Sequence, residues 1–148
     1  VRPIQYLAEL SQVDFDQVKD AITDETAHRR ARHVVGEVQR TKDAVEALKN
    51  GDIVKFGQLM NQSHVSLRDD YEVTGPQLDA LAEAAWKIDG VLGSRMTGGG
   101  FGGCTVSLVR EEAIPAFIEK VGAEYTEKTG LTADFYIAEI GDGAHRVK

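Results

Sequence analysis

The most unusual stretch of this sequence is SRMTGGGFGGCTVSLV, residues 94–109. Five of the six residues at positions 98–103 are glycine, and each glycine costs roughly 0.5–1 kcal/mol relative to alanine when it is ordered in regular structure. Residues 91–97 and 104–109 are rich in strand-forming side chains, so the glycine run is flanked by two predicted strands rather than by linker sequence. A glycine loop between strands is typical of a site where exposed backbone N–H groups approach a ligand closely, most often a phosphate.

Two familiar phosphate-binding motifs do not explain the loop. Gly98, Gly100 and Gly103 satisfy the spacing G-x-G-x-x-G, but a strand follows where the dinucleotide-binding motif requires the start of a helix. Gly98 and Gly103 also have the spacing of a P-loop, but Cys104 stands where that motif requires lysine. Neither motif is therefore present.

The composition excludes several classes of protein. With 42% hydrophobic and 28% charged residues among 148, the chain is predicted to be globular. A formal net charge of −7 disfavours nucleic acid and anionic membranes as partners. One cysteine excludes an internal disulfide, and with no signal peptide or apolar run of about 18 residues it predicts a cytoplasmic protein. The first residue is Val1 rather than methionine, which suggests a fragment of a longer protein.

The order of predicted elements indicates an α+β fold. Helices are predicted at about 11–21, 24–49 and 52–71, then a helix begun by a capping box at Thr74–Gln77, strands at 91–97 and 104–109, a helix at 111–128 and a strand at 132–140. The last five elements form a ferredoxin-like βαββαβ unit that lacks its first strand. Within 1–148, this predicts a helical segment at about 11–71 and the ferredoxin-like unit at about 74–140.

The candidate site is the glycine loop itself. Its members are Gly98, Gly99, Gly100, Gly102 and Gly103, with Ser94, Arg95 and Thr97 as weaker candidates for phosphate contacts. The alternative is that the glycines only permit a tight crossing between strands. No metal site is predicted, because adjacent Asp69 and Asp70 would point about 100° apart on a helix and His64 has no second histidine at ligand spacing.

Residues 94–103, together with SHVSLRDDYEVTGPQLD at 63–79, resemble the galactokinases, a branch of the GHMP small-molecule kinase family. The resemblance extends from Leu7 to Ile140. It implies that the chain is a GHMP kinase C-terminal domain and that the glycine string is the family's third motif. In the family, this loop lies at the cleft between two domains and supports the main phosphate-binding loop of the other domain. The implied substrates are ATP, which donates its γ-phosphoryl group, and D-galactose, which accepts it on the 1-hydroxyl; the implied metal is Mg²⁺.

The resemblance also implies what this chain lacks. The N-terminal galactose-recognition signature, the serine-rich phosphate loop, and the aspartate and arginine of the reaction centre are not in this sequence. The chain is therefore expected to be a C-terminal portion that contains no catalytic residues, needs the missing N-terminal domain as its partner and is inactive alone. The alternatives are another GHMP sugar kinase, such as an N-acetylgalactosamine kinase, a non-catalytic sugar sensor of galactokinase type, or a free-standing ferredoxin-like ligand-binding module.

The missing first strand predicts an unfilled position in the sheet. In the ferredoxin-like strand order 4-1-3-2 the first strand is central, so the hairpin and the strand at 132–140 would leave a gap between them. Unpaired strand edges recruit other strands. We hypothesise that the fragment repairs its sheet: either the last strand slides against 104–109, or Pro3–Leu7 of the same or a neighbouring chain fills the gap. The second route would allow self-association through the unfilled edge.

Overall fold

The computed structural model describes residues 3–139, 141, 143 and 146. Its principal elements are α1 (Gln12–Val18), α2 (Glu25–Lys49), α3 (Ile53–Ser66), α4 (Pro76–Trp86), β1 (Val91–Thr97), β2 (Cys104–Val109) and α5 (Ile114–Thr129). Short 3-10 turns at Leu7–Glu9, Lys19–Ala21 and Glu111–Ala113 and a π-helical turn at Leu67–Tyr71 join them. The predicted α+β class with additional N-terminal helices is confirmed, whereas the division into two segments near residue 74 stays a prediction.

Local capping explains where most helices begin. The side chains of Ser11, Asp24 and Asp52 each accept a hydrogen bond from the backbone N–H three residues later. The capping box predicted at Thr74–Gln77 is wrong, because the residue that caps α4 is Gly75, with φ +80° and no side-chain hydrogen bond. Pro76 is the physical reason: a residue before proline is disfavoured in helical conformation, so Gly75 stays outside the helix and Pro76 becomes its first residue.

The sheet consists of β1 and β2, which pair antiparallel from Val91↔Val109 to Thr97↔Cys104. The strand predicted at 132–140 is wrong for the described residues, because 131–139 have no regular secondary structure; Ile140 lies outside them. A strand needs a hydrogen-bonded neighbour, and the ferredoxin-like order puts this segment beside a first strand that the described chain does not contain. Phe135 instead packs edge-to-face on Phe117 of α5, with ring centroids 5.9 Å apart.

Neither route of sheet repair within one chain occurs in the described residues. The segment at 131–139 does not pair with β2, and residues 3–7 enter a 3-10 turn rather than a strand. Both intramolecular routes are therefore wrong, while repair by a neighbouring chain stays a prediction.

The edge of the sheet formed by β1 is covered by α3. α3 crosses β1 at two glycines: a Cβ atom on Gly57 would lie 2.2 Å from the carbonyl oxygen of Leu92, and one on Gly93 would lie 2.3 Å from that of Gly57. Real Cβ atoms do not approach so closely, so the crossing requires glycine on both elements. It brings the next turns of α3 within hydrogen-bonding distance of the β1 backbone.

In the described residues, ten of the buried apolar side chains form three clusters. One joins α1 to α2 around Phe15 and Val35. A second, made by Leu67, Leu78 and Met96, lies where the π-helical turn, α4 and β1 meet. The third packs α4 against α5. The second cluster supports the end of β1, from which the glycine loop leaves the sheet.

Candidate functional site

The glycine loop, residues 98–103, joins β1 to β2 in a conformation that few residues other than glycine adopt. Gly98, Gly100 and Gly102 have φ values of +73°, +83° and +86°. Phe101 also lies in the left-handed region, at φ +55°, and its side chain is 79% exposed. Left-handed backbone is unfavourable for a bulky residue, so other contacts must hold the loop in this shape.

Two contacts outside the loop hold it at its sides. The N–H of Phe101 donates to the carbonyl oxygen of Val73 over 2.8 Å, and Gly100 lies so close to that carbonyl that a Cβ atom would be 2.0 Å from the oxygen. On the β1 side, the N–H of Met96 donates to Nδ1 of His64 over 3.0 Å. The loop is therefore fixed by the segment before α4 and by α3.

Several loop donors remain available to a ligand. Among the described residues, the N–H groups of Gly98, Gly99 and Gly102 have no hydrogen-bond acceptor. A Cβ atom added at Gly98 or Gly99 would meet nothing within 4 Å, so the space beside them is open. Backbone N–H groups in such a loop can bind an anion, but the loop offers no side chain that could transfer a proton. Chemically, the arrangement is suited to holding phosphate oxygens.

The structure does not bring all the weaker candidates to the loop. Ser94 is completely buried, its hydroxyl is 2.8 Å from that of Ser107, and its carbonyl oxygen accepts from the indole of Trp86 over 3.0 Å. Thr97 is exposed at the base of the loop. Arg95 donates through Nε to the carbonyl oxygen of Met96 over 3.0 Å and lines a separate cleft. Whether any of them contacts a nucleotide stays a prediction.

That cleft, of about 520 Å³, lies between α2, α3 and β2. Glu37 is half-buried in it. Burial opposes its ionisation, but hydrogen bonds from Arg40 and Ser63 together with the positive charges of Arg40 and Arg95 outweigh burial and lower the pKa of this carboxyl. The Nη2 atom of Arg40 is buried without a partner in the described residues. The remaining walls are largely apolar side chains of α2, α3 and β2, so this cleft differs in character from the glycine loop.

The turn that presents Val73 is held by arginines of α2. Glu72 has left-handed backbone at φ +59°, and its carboxylate accepts from Arg30 over 2.6 Å and from Arg29 over 3.0 Å. Both hydrogen bonds lower the pKa of Glu72, and the one from Arg30 has the larger effect. Arg30 also donates to the carbonyl oxygen of Asp70, one of the groups at the end of the π-helical turn that lack a helical partner. Arg29 and Arg30 of α2 therefore order the turn before Val73, whose carbonyl oxygen accepts the hydrogen bond from Phe101 of the loop.

The two adjacent aspartates do not act as a pair. Asp69 accepts from Nε of Arg68 over 2.8 Å, while Asp70 accepts from Arg32 and from the hydroxyl of Ser66. Among the described residues, no group of three or more histidine, cysteine, aspartate or glutamate side chains could hold a metal ion. None of the described helices is long and apolar enough to cross a membrane.

Sequence reasoning missed the contributions of His64 and Val73 to the site. The sequence presents His64 only as an isolated metal-ligand candidate, and it assigns Val73 no role at the loop. The spacing of Asn61 and His64, which puts them on one face of α3, was a weak signal that this helix contacts the strand. In the structure they accept hydrogen bonds from the N–H groups of Ser94 and Met96, which lie along one edge of β1. No local sequence pattern predicts that the carbonyl oxygen of Val73 accepts a hydrogen bond from Phe101.

Comparison with known proteins identifies relatives over almost the whole chain. Residues 44–127 match the family model described as GHMP kinases C terminal. The chain is 61% identical to a galactokinase of Fusobacterium nucleatum and 52% identical to a galactokinase of Bacillus subtilis. Each alignment covers 98% of this chain and 37% of the relative. It thus spans little more than a third of the length of these relatives.

A solved structure extends the similarity to three dimensions. The crystal structure of Lactococcus lactis galactokinase complexed with galactose is 54% identical to this chain. It superposes with a TM-score of 0.92 over 96% of this chain and 37% of the larger one. The arrangement of helices and hairpin described above is therefore the one found in that protein.

Proposed function

The chain belongs to the GHMP kinase family, whose C-terminal domain it matches, and on that premise we propose that it is the C-terminal part of a galactokinase. In this proposal the parent enzyme transfers the γ-phosphoryl group of ATP to the 1-hydroxyl of D-galactose in galactose catabolism. The observation that carries the proposal is the similarity to galactokinases along 98% of the chain, with its glycine loop included.

The glycine loop has a supporting role in this reaction. Phosphoryl transfer depends mainly on positioning the triphosphate and neutralising its charge. The free N–H groups of Gly98, Gly99 and Gly102 can donate to phosphate oxygens or to the backbone of a phosphate-binding loop in the other domain. Gly100 and Gly103 give the loop its shape, and Ser94, Arg95 and Thr97 are weaker candidates for contacts with ATP.

The catalytic groups and the metal belong to the part of the enzyme outside this chain. The described residues bring together no carboxylate cluster that fits Mg²⁺, so no step of the reaction is assigned to a metal bound here. The required partner is the N-terminal domain. We also propose a cytoplasmic location, because the reaction consumes cytoplasmic ATP.

This proposal predicts that the 148-residue chain alone phosphorylates nothing, whereas the longer protein that contains it is active. An assay that couples ADP release to galactose addition measures both. Galactose-dependent turnover by the chain alone would contradict the assignment of the catalytic groups.

The same assay with a series of sugars, together with calorimetric titration of ATP and of galactose, distinguishes the alternatives for the longer protein. A preference for N-acetylgalactosamine over galactose identifies a different sugar kinase. Binding of ATP and galactose without turnover identifies a sensor, and binding of neither favours a ferredoxin-like module that binds another ligand. Either of these last two outcomes refutes the proposed activity.

A further inference from the structure

His64 is the one completely buried histidine in the described part of the chain, and both of its ring nitrogens are engaged. Nδ1 lies 3.0 Å from the backbone nitrogen of Met96, and Nε2 lies 3.1 Å from Oδ1 of Asp79. The ring also meets Trp86 edge-to-face, with centroids 5.5 Å apart. Two elements, β1 and α4, therefore contact one side chain of α3, and α4 does so at both of its ends.

These contacts determine the proton arrangement of the ring. A backbone N–H can only donate, so Nδ1 must be the unprotonated acceptor and Nε2 must carry the hydrogen that is donated to Asp79. Burial lowers the pKa of His64, against the attraction of Asp79, and so favours this neutral form. The other charged groups that act on the ring are Arg68 and Glu83, with Asp69 beside them. Because the ring is neutral, its contact with Asp79 is a hydrogen bond rather than an ion pair.

The bond to Met96 lies where the strand becomes the glycine loop. Ser94 and Met96 direct their N–H groups away from β2, and α3 supplies the acceptors, Asn61 for the first and His64 for the second. Met96 is two residues before Gly98, so this is the last contact of the β1 edge with α3 before the open donors of the loop begin. On the far side the loop is held by the bond from Phe101 to Val73.

We propose that His64 is a positioning residue for the glycine loop: its Nδ1 atom holds the N–H of Met96 and thereby sets the direction in which the loop leaves the sheet. The kinetic part of this inference rests on the proposed function, whereas its structural part does not. A histidine that only fills the core would be replaceable by any side chain of similar volume, but a positioning histidine must keep an acceptor at the place of Nδ1.

Two substitutions separate these roles. In His64→Asn the side-chain oxygen can occupy the place of Nδ1, whereas in His64→Gln the amide reaches the place of Nε2 and leaves Met96 without its acceptor. We expect His64→Gln to lower kcat/KM for ATP about tenfold or more in the longer protein, while His64→Asn stays within about threefold of wild type. KM for galactose should change little in either variant.

Amide hydrogen exchange provides a readout independent of catalysis. Exchange at Met96 and Phe101 should accelerate in His64→Gln and not in His64→Asn. The control is His33→Gln, which removes another buried histidine whose Nδ1 lies 3.0 Å from the hydroxyl of Ser66 rather than near β1. It should lower stability without changing exchange at Met96, whose acceptor is His64. Equal effects of the two His64 variants on loop exchange and on kcat/KM would overturn the proposal.

Two further measurements keep the test decisive if the His64 variants do not fold. ¹⁵N spectra of the wild-type protein should show His64 with the hydrogen on Nε2, and a hydrogen on Nδ1 would refute the inference. Asp79→Ala, at a side chain that is 22% exposed, should release the ring and accelerate exchange at Met96, and unchanged exchange would also refute it. If the longer protein phosphorylates no sugar, the proposed function fails, but hydrogen exchange still decides the role of His64.

Discussion

Neighbouring glycines in the loop have different physical reasons to be glycine. At Gly100 the backbone is left-handed and a Cβ atom would lie 2.0 Å from the carbonyl oxygen of Val73. At Gly99, φ lies outside the left-handed region and a Cβ atom would meet nothing within 4 Å. Glycine is therefore a structural requirement at 100. At 99 the described chain does not demand it, which leaves space for a partner outside the chain as the explanation.

We therefore expect Gly99→Val and Gly100→Val to fail in different ways. In the longer protein, Gly99→Val should reduce kcat/KM for ATP about tenfold or more with little change in melting temperature. Gly100→Val should lower the free energy of unfolding by about 2–4 kcal/mol, from strain and the clash with Val73. Thermal melts and steady-state kinetics on both variants test this. Normal kinetics in a folded Gly99→Val protein would show that the glycine run is purely structural.

At the scale of elements, the helices are joined to their neighbours by buried histidines. His33 on α2 is 7% exposed, and its ring stacks on Tyr71 of the π-helical turn with centroids 4.6 Å apart. His64 joins α3 to β1 and α4. Burial lowers the pKa of both histidines. At His33 the positive charges of Arg40 and Arg95 also lower the pKa, whereas the negative charges of Glu37 and Asp70 oppose this shift. Both interfaces therefore depend on neutral imidazole.

This predicts a decline of stability in mild acid. When the folded-state pKa is below the unfolded value of 6.5, the unfolded chain binds the proton first as pH falls. The contribution of each neutral histidine to the free energy of unfolding is complete above pH 6.5, and it is lost as pH falls through the lower folded-state pKa. Each histidine can remove at most about 1.4 kcal/mol per pH unit within its window.

Urea unfolding between pH 7.5 and about 5 measures this decline. The double variant His33→Gln/His64→Gln should be less stable at pH 7.5 but should show a smaller slope with pH. Glu37, whose pKa is lowered from 4.5, contributes a separate loss at lower pH and should leave that window unaffected. The same slope in wild type and double variant would assign the pH dependence to other groups.

At the scale of the whole molecule, the two edges of the sheet are treated differently. The β1 edge is covered by α3, which supplies acceptors for its N–H groups. The β2 edge has no strand partner in the described residues, and Val106 on that strand is 47% exposed. Beside it lies the apolar cleft lined by α2 and α3. An open edge next to apolar surface is the arrangement that recruits strands from other chains.

We expect the isolated chain to self-associate through this edge in a concentration-dependent manner. Val106→Lys should weaken the association, because a charged side chain on an edge strand opposes strand addition. The matched control is Val13→Lys on α1, where valine is 66% exposed and distant in sequence from the sheet. Sedimentation velocity over a range of concentrations measures both. Equal association of the two variants would place the contact elsewhere, and a monomer at all concentrations would refute the prediction.

Local sequence determined most of the elements of this protein. The 3.6-residue periodicity predicted the first three helices within a few residues, and in the structure each of them begins at a local cap: Ser11, Asp24 or Asp52. The glycine run between two β-type segments predicted the hairpin and its loop, and the string at 63–79 pointed to the family. These features are encoded by neighbouring residues, whose conformational preferences act whether or not the rest of the chain is folded.

Tertiary structure alone decided which groups meet at the loop. The acceptors for Met96 and Phe101 come from His64 and Val73, which are distant in sequence, and only the crossing of α3 over β1 brings His64 within reach. The segment at 131–139 shows the converse case, because its strand-like pattern yields no strand without a neighbour to pair with. Helices satisfy their hydrogen bonds within the segment, whereas strands and shared side-chain acceptors depend on partners that local sequence does not specify.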